Sequence, residues 1–460
     1  MRAADKPCFA RTTSRTWTHG PQFLLLAIGG LIAGTAVAQP ADLMTALRAA
    51  QATDPTIRAA RSTLDIALLK SPEARAGLFP AVNMTASTNA TQAKTSFSGD
   101  PAIDRSGASY AVTLQLVQPL FRVDNFLATN QASLIVKSAQ AQFEQARQDL
   151  LLRVAAAYFA VIEAKDVLAD ADAQVAAMER QLLEISKGFN AGIRAITDVD
   201  DTKSRLGAAK AQQIAARGEI ANAQADLERL TDTRYAQLAA LSDGVTLPSP
   251  QPARAQDWID QARTDNPQVR ACRANVEVAR LDVSRARTGH LPTMDLVANI
   301  GRNYSHHSLT TPEDYGTRAA QKEVGIQVNI PLFAGGAIVT RVNQAEASLE
   351  KTRADLDAAS RDAANLAQHA FSSVISDLAQ VDALDVAVDA SESALKGNQA
   401  GFRVGYRTNV DVLTAQQQLF SARSSRSKAR YEALLQGLKL KAAAGILADA
   451  DLETIAALMR

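Results

Sequence analysis

The chain has 460 residues, of which 47% are hydrophobic and 5% aromatic, with a formal net charge of +1. That balance supplies no basic patch for nucleic acid. Two cysteines in so long a chain exclude a disulfide-held scaffold.

Residues 1–38 read as a secretory signal peptide. Arg2, Lys6, Arg11 and Arg15, against Asp5 alone, precede an apolar core from Phe23 to Ile32, and Ala36-Val37-Ala38 supplies small residues for cleavage after Ala38. The alternative, an N-terminal membrane anchor, is opposed by an apolar run of about ten residues where a span needs roughly 20. Losing the leader takes the formal charge from +1 to about −2 and removes Cys8, which precedes the apolar core and cannot become a lipidated N-terminus. Cys272 is then alone, so an exported chain of this length must hold by packing area or by oligomerisation.

The mature chain reads as two copies of one plan. The expected boundaries are 39–246 for the first repeat, 247–252 for a linker, 253–446 for the second repeat and 447–460 for a C-terminal tail. Pro55-Thr56-Ile57-Arg58-Ala59 returns as Pro267-Gln268-Val269-Arg270-Ala271, Gly77-Leu78-Phe79-Pro80 as Gly289-His290-Leu291-Pro292, and Pro119-Leu120-Phe121 as Pro331-Leu332-Phe333. Each copy begins with a helical stretch, passes through two strands, and continues into a very long helix and a partner helix.

After Pro80, Val82, Met84 and Ala86 alternate with Asn83, Thr85 and Ser87, and Tyr110, Val112, Leu114 and Leu116 alternate with Ala111, Thr113, Gln115 and Val117. The second copy sets Met294, Leu296, Ala298 and Ile300 against Asp295, Asn299 and Gly301, and Val324, Ile326, Val328 and Ile330 against Gly325, Gln327 and Asn329. Segments of about ten residues with one apolar and one polar face have the length and period of outer-membrane barrel strands. A small half-buried soluble sheet is the other reading of the same period. Four strands cannot close round a water-filled lumen, and open edges are not tolerated in lipid, so a barrel requires several chains. Three chains would bring twelve strands, though strand arithmetic alone does not fix that number. Gly99-Asp100-Pro101 and the polar stretch 306–318 are the candidate extracellular loops.

Residues 121–186 predict one helix of about 66 residues, on the order of 100 Å long, with 338–396 as its counterpart. Partner helices are expected over 197–241 and 409–445. Charges recur too often for membrane spans, and alanine at many contact positions implies close helix approach, as in coiled coils. Leu247-Pro248-Ser249-Pro250-Gln251-Pro252 breaks helicity between the copies. The mature histidines, His290, His306, His307 and His369, form no ligand pattern beyond the adjacent pair, and no phosphate-binding glycine loop occurs. No enzyme, metal or cofactor is expected.

The sharpest repeat lies where each long helix ends. Gly188-Phe189-Asn190-Ala191-Gly192-Ile193-Arg194, with Thr197-Asp198-Val199, returns as Gly401-Phe402-Arg403-Val404-Gly405-Tyr406-Arg407, with Val410-Asp411-Val412. These segments, the Pro-Leu-Phe turns and the duplication resemble the TolC family of outer-membrane channel-tunnels over about residues 41–450. The resemblance implies a mixed α/β membrane protein, a homotrimer with a twelve-stranded β-barrel, four strands per chain, continuing into a periplasmic α-helical coiled-coil barrel. It implies a passive export duct for type I protein secretion or small-molecule efflux, with outer-membrane lipid around the barrel. A periplasmic adaptor would link it to an inner-membrane ABC or proton-driven transporter. By the same likeness Gly192, Ile193, Gly405 and Tyr406 are adaptor-contact tips, and Asp411 is a pore-constricting carboxylate. Arg407 ties one hairpin to its neighbour through Thr197 and Asp198. Phe402 stands where a tyrosine hydroxyl can join that network, and Thr414 where some members carry a second aspartate. An aspartate near a helix start can instead be a simple cap, a reading that suits Asp198, which follows Thr197 at such a start, more than Asp411. The competing function is a non-conducting envelope coiled coil with a structural or adhesive role.

Overall fold

Each half of the chain opens with the same capped helix pair. In the first, α1 (Leu43–Thr53) and α2 (Pro55–Ala76) meet at Asp54, whose carboxylate accepts the amides of Thr56 and Ile57. In the second, α5 (Ala255–Asp265) and α6 (Pro267–Arg287) meet at Asn266, whose side-chain oxygen accepts the amides of Gln268 and Val269. Proline at the first helical position lacks the N–H that the helix would leave orphaned, so the Asp-Pro and Asn-Pro pairs start helices rather than break them. This computed structural model describes residues 41–96, 101–242, 244–308 and 315–459, with Thr311 and Glu313. The expected signal peptide and the Gly99-Asp100 turn lie outside the described residues.

Strands β1 (Ala81–Thr95), β2 (Ile103–Phe121), β3 (Thr293–Ser305) and β4 (Thr317–Asn329) form one antiparallel sheet in the order β1-β2-β3-β4. The β2–β3 ladder joins the two halves, and β1 and β4 each keep one edge unpaired within the chain. Cross-strand partners such as Met84 with Leu114, Leu114 with Ile300, and Leu296 with Ile326 share the apolar face. Asn83, Gln115, Asn299 and Glu323 share the other. Leu120 is the extra residue of a bulge at the end of β2. Just beyond it, Arg122 forms a bidentate pair with Asp295, 2.6 and 2.8 Å, where the strand turns into helix.

Four helices make up most of the remainder: α3 (Val123–Asn190, 68 residues), α4 (Ile196–Thr231), α7 (Ala337–Arg403, 67 residues) and α8 (Asn409–Ala443). Both long helices extend past the expected 186 and 396, to the hairpin turns themselves. On α4 the buried positions Thr202, Ala209, Ala216, Ala223 and Leu230 recur every seven residues, as do Ala367, Val374, Val381 and Val388 on α7. A strict seven-residue stripe belongs to a left-handed supercoil, and its alanines let α4 lie close against α3.

The α4 helix stops ten residues before the expected 241. Asp232 takes a left-handed conformation (φ 50°) at its C-cap, and the Thr231 hydroxyl donates to the Leu227 and Thr233 carbonyls. The chain beyond is held by bridges, Ala41 with Leu238 and Leu241 with Met459. Tyr158, wholly buried, donates its hydroxyl to the carbonyls of Ala41 and Ala239 at 3.0 and 2.9 Å. Tertiary bonds thus win over helical propensity at this point. The C-terminal segment forms α9 (Asp449–Ala456), whose Leu452 and Ile455 join α1 and the middle of α3 in the largest apolar cluster.

Candidate functional site at the helical hairpins

The two hairpin turns are built alike. Gly192 has φ +73° and Gly405 φ +84°, a left-handed conformation that glycine adopts without steric penalty. At the first turn the Ile193 amide reaches the Gly188 carbonyl and the Gly192 amide reaches that of Phe189, both at 2.9 Å. At the second, Tyr406 bonds to Gly401 at 2.8 Å and Gly405 to Phe402 at 3.2 Å. This double closure satisfies carbonyls that the helix end would otherwise leave open. It also pushes apolar side chains outward, with Ile193 75% and Tyr406 89% exposed. All four expected tip residues therefore sit at exposed turns at the ends of the two longest helices.

Beneath the tips, Ile185, Val199, Phe402 and Val412 form a small buried cluster that joins both hairpins. Phe402 fills it, and the Arg194 guanidinium lies 4.1 Å from the centre of its ring. Where a tyrosine would offer a hydroxyl, this chain makes a cation–π contact between hairpins. The stem of Arg194 crosses Gly188 so closely that a Cβ there would stand 2.7 Å from its Cγ, and Arg407 crosses Gly401 in the same way. Both glycines are thus required by the arginine packed upon them.

Buried Asn409, the first residue of α8, links three helices. Its amide donates to the Thr202 hydroxyl at 2.9 Å and to the Asp198 carbonyl at 3.3 Å, and its oxygen accepts from Gln181 at 2.9 Å. The first copy has Ala195-Ile196 where the second has Thr408-Asn409. That difference between the repeats was the available signal for Asn409, and sequence reasoning missed it together with Gln181, Thr202 and Arg194.

The two aspartates divide differently from expectation. Asp411 closes a capping box: one carboxylate oxygen accepts the Thr408 amide at 2.8 Å and hydroxyl at 2.9 Å, while the Asp411 amide donates to the Thr408 hydroxyl. The Thr408 bonds, with the nearby Arg407 charge, hold its carboxyl below the usual carboxylate range, so the group stays ionised. Asp198 lies in the first turn of a helix whose N-cap, Ala195, supplies no side-chain cap, and only its carbonyl is engaged across the hairpins. The capping alternative thus describes Asp411 and not Asp198. Arg407 is exposed, and among the described residues of one chain no ion pair or side-chain hydrogen bond joins it to Thr197 or Asp198. Thr414 is exposed one turn beyond Asp411.

The sequence pattern of outer membrane efflux proteins matches this chain twice, over residues 46–233 and 258–446. Outer membrane protein TolC of Escherichia coli is 30% identical over 439 residues, covering 94% of this chain and 88% of that one. The alkaline protease secretion protein AprF of Pseudomonas aeruginosa is 33% identical over 366 residues, covering 79% of this chain and 75% of that one. The crystal structure of the outer membrane protein VceC from Vibrio cholerae superposes with a TM-score of 0.72 over 88% of this chain and 96% of that one, at 20% identity. Matched in both halves and similar to TolC over nearly its full length, this chain belongs to the outer membrane efflux protein family.

Proposed function

We propose that this outer-membrane channel works as the exit duct of a trans-envelope exporter, docked at its hairpin tips and gated just inside them. The sheet lies in the outer membrane and the helices in the periplasm. Three copies join β1 to β4 to close a twelve-stranded barrel, so that no edge faces lipid. Cargo enters at the hairpin end, and the energy for transport comes from an inner-membrane transporter reached through a periplasmic adaptor. Protein secretion is favoured over small-molecule efflux, because AprF, 33% identical to this chain, bears a protease-secretion name.

The observation that carries the docking role is the pair of positive-φ glycine turns presenting exposed apolar side chains at the ends of 68- and 67-residue helices. A partner helix can approach these turns closely because a Cβ at Gly192 or Gly405 would project into open space. Gating follows from the duplication. Arg194 of the first hairpin grips Phe402 of the second within a chain. By the same geometry Arg407 of the second hairpin meets the first hairpin of the next chain, where Phe189 is the counterpart of Phe402 and Thr197 and Asp198 lie one turn on. Asp411, ionised in each chain, then forms an acidic ring round the axis, a cation-concentrating constriction.

Docking is tested by placing leucine at both turns. Gly192→Leu with Gly405→Leu should leave assembled trimers, lowered in stability by about 1–3 kcal/mol per strained residue, and abolish both export and cross-linking to the adaptor. The companion variant, Gly192→Asn with Gly405→Asn, adds similar bulk in a residue that tolerates the left-handed conformation and should lose export as well, which separates blocked approach from backbone strain. Full export by the leucine variant rejects the docking assignment.

A further inference from the structure

The apolar face of the sheet is interrupted near its loop end by a cluster of three cations. The register places Lys322 opposite Ile300, Arg302 opposite both Val112 and Ala320, and Arg318 opposite Tyr304, all on the face that carries Leu114, Ile326 and Val328. Arg302 is the diagonal neighbour of both Lys322 and Arg318, so the three form a triangle about Ala320. All three are exposed, and among the described residues none of them forms an ion pair. Glu323, next to Lys322 in sequence, falls on the opposite, polar face by strand alternation. Two of the three cations, Arg302 and Arg318, help line a groove with Tyr110, Val112, Tyr304 and Ala320. The Tyr110 and Tyr304 rings stack 6.3 Å apart, and the Arg318 guanidinium lies 5.1 Å from the Tyr304 ring centre.

Cations on a lipid-facing strand are unfavourable unless they reach water or an anion. Tyrosines mark the level where acyl chains give way to headgroups, and Arg318 stands opposite Tyr304 at that level. Guanidinium forks match phosphate oxygens two at a time, and an ammonium adds a point charge. Below the three cations, Leu116, Leu296, Val324 and Ile326 continue as a wall against which acyl chains can lie. We propose that Arg302, Arg318 and Lys322 form a site on the barrel wall for the phosphate groups of an outer-leaflet lipid, one site per chain. The site rests on the reading above that the sheet crosses the outer membrane, with its apolar face toward lipid.

The test uses the full-length trimer, purified in detergent and stripped of lipid. Bisphosphorylated lipid A and its dephosphorylated counterpart are added separately, and bound lipid is counted by native mass spectrometry. The native protein should hold up to one phosphorylated molecule per chain and discriminate against the dephosphorylated one by about tenfold or more. Replacing Arg302, Arg318 and Lys322 together by glutamine should erase that discrimination. Equal binding of the two lipids by the native trimer overturns the site, and this arm stands even if the triple variant fails to assemble. Undiminished discrimination in an assembled triple variant overturns it as well. A fluorophore on Val112→Cys, read against quencher-bearing lipids, separates the two levels of the argument. Quenching without phosphate preference removes only the site, whereas absence of quenching removes the lipid-face reading beneath it.

Discussion

At the start of α8, Asp411 commits one carboxylate oxygen to Thr408 while keeping its charge, so a single substitution confounds two roles. Asp411→Ala deletes both its half of the capping box with Thr408, worth up to about 1 kcal/mol, and the charge; Asp411→Asn keeps an acceptor for the Thr408 amide and removes only the charge. In planar bilayers both variants should lose cation selectivity and block by multivalent cations, and only the alanine variant should also melt at lower temperature as a trimer. Unchanged selectivity in Asp411→Asn would show that the carboxylate is a cap alone. Arg407→Ala and Phe189→Ala should each raise single-channel conductance, since each would remove one side of the contact proposed between chains, and unaltered conductance in both would refute the latch. Asp54 gives a second residue-scale expectation. Burial opposes its charge, yet the Thr56 hydroxyl, Arg153 at 3.0 Å and the Ile57 amide hold its pKa at about 2. A depressed carboxyl stabilises the fold fully above its unfolded value, about 3.9, and that stability, at most about 2 kcal/mol, is lost as pH falls toward the folded value. Asp54→Asn retains a good cap, as Asn266 does in the other half, and should flatten the pH dependence of unfolding in this acid window. An unaltered acid limb would place the titrating group elsewhere.

The heptad stripe on α4 is an element-scale constraint, because one wrong side chain lifts the helix from its neighbour. Ala216→Leu inserts methylenes where α4 lies against α3, and such overpacking costs typically about 1–3 kcal/mol. The same change at exposed Ala215 should be nearly neutral. Heat-induced trimer dissociation on gels compares the two, and equal stability would mean that the stripe is not a packing seam. At this scale the sequence was most legible where one period governed many residues. The four strands and the long helices followed from alternation and from runs without proline. The end of α4 did not, because Thr233 to Leu241 carries no strong breaker and is drawn out of helix by Tyr158, Ala41 and Met459, partners distant in sequence. The hairpin site was legible in its glycines, fixed by backbone geometry. Asn409 and Arg194 escaped because their roles depend on which hairpin lies beside which.

For the whole molecule, the sheet order predicts which surfaces meet the cell exterior. Tyr315→Cys, placed in the β3–β4 connection and combined with Cys272→Ser, should react with a membrane-impermeant thiol reagent on intact cells. Reaction only after the outer membrane is permeabilised would invert this topology. The Asn409 junction carries a further mechanical implication. Within a chain, the seam between hairpins is fastened by Asn409, Gln181 and Thr202; by the duplication, the equivalent positions for a seam between chains would be Ile196, Ala394 and Ala415. No side-chain hydrogen bond can form among those three, which leaves that seam to apolar contact and the proposed Arg407 latch. A closed entrance of six hairpins therefore has three fastened joints and three weaker ones in alternation. It should part as a shutter of three rigid leaves, each a whole chain's pair of hairpins, so that the first opening has three slots rather than six.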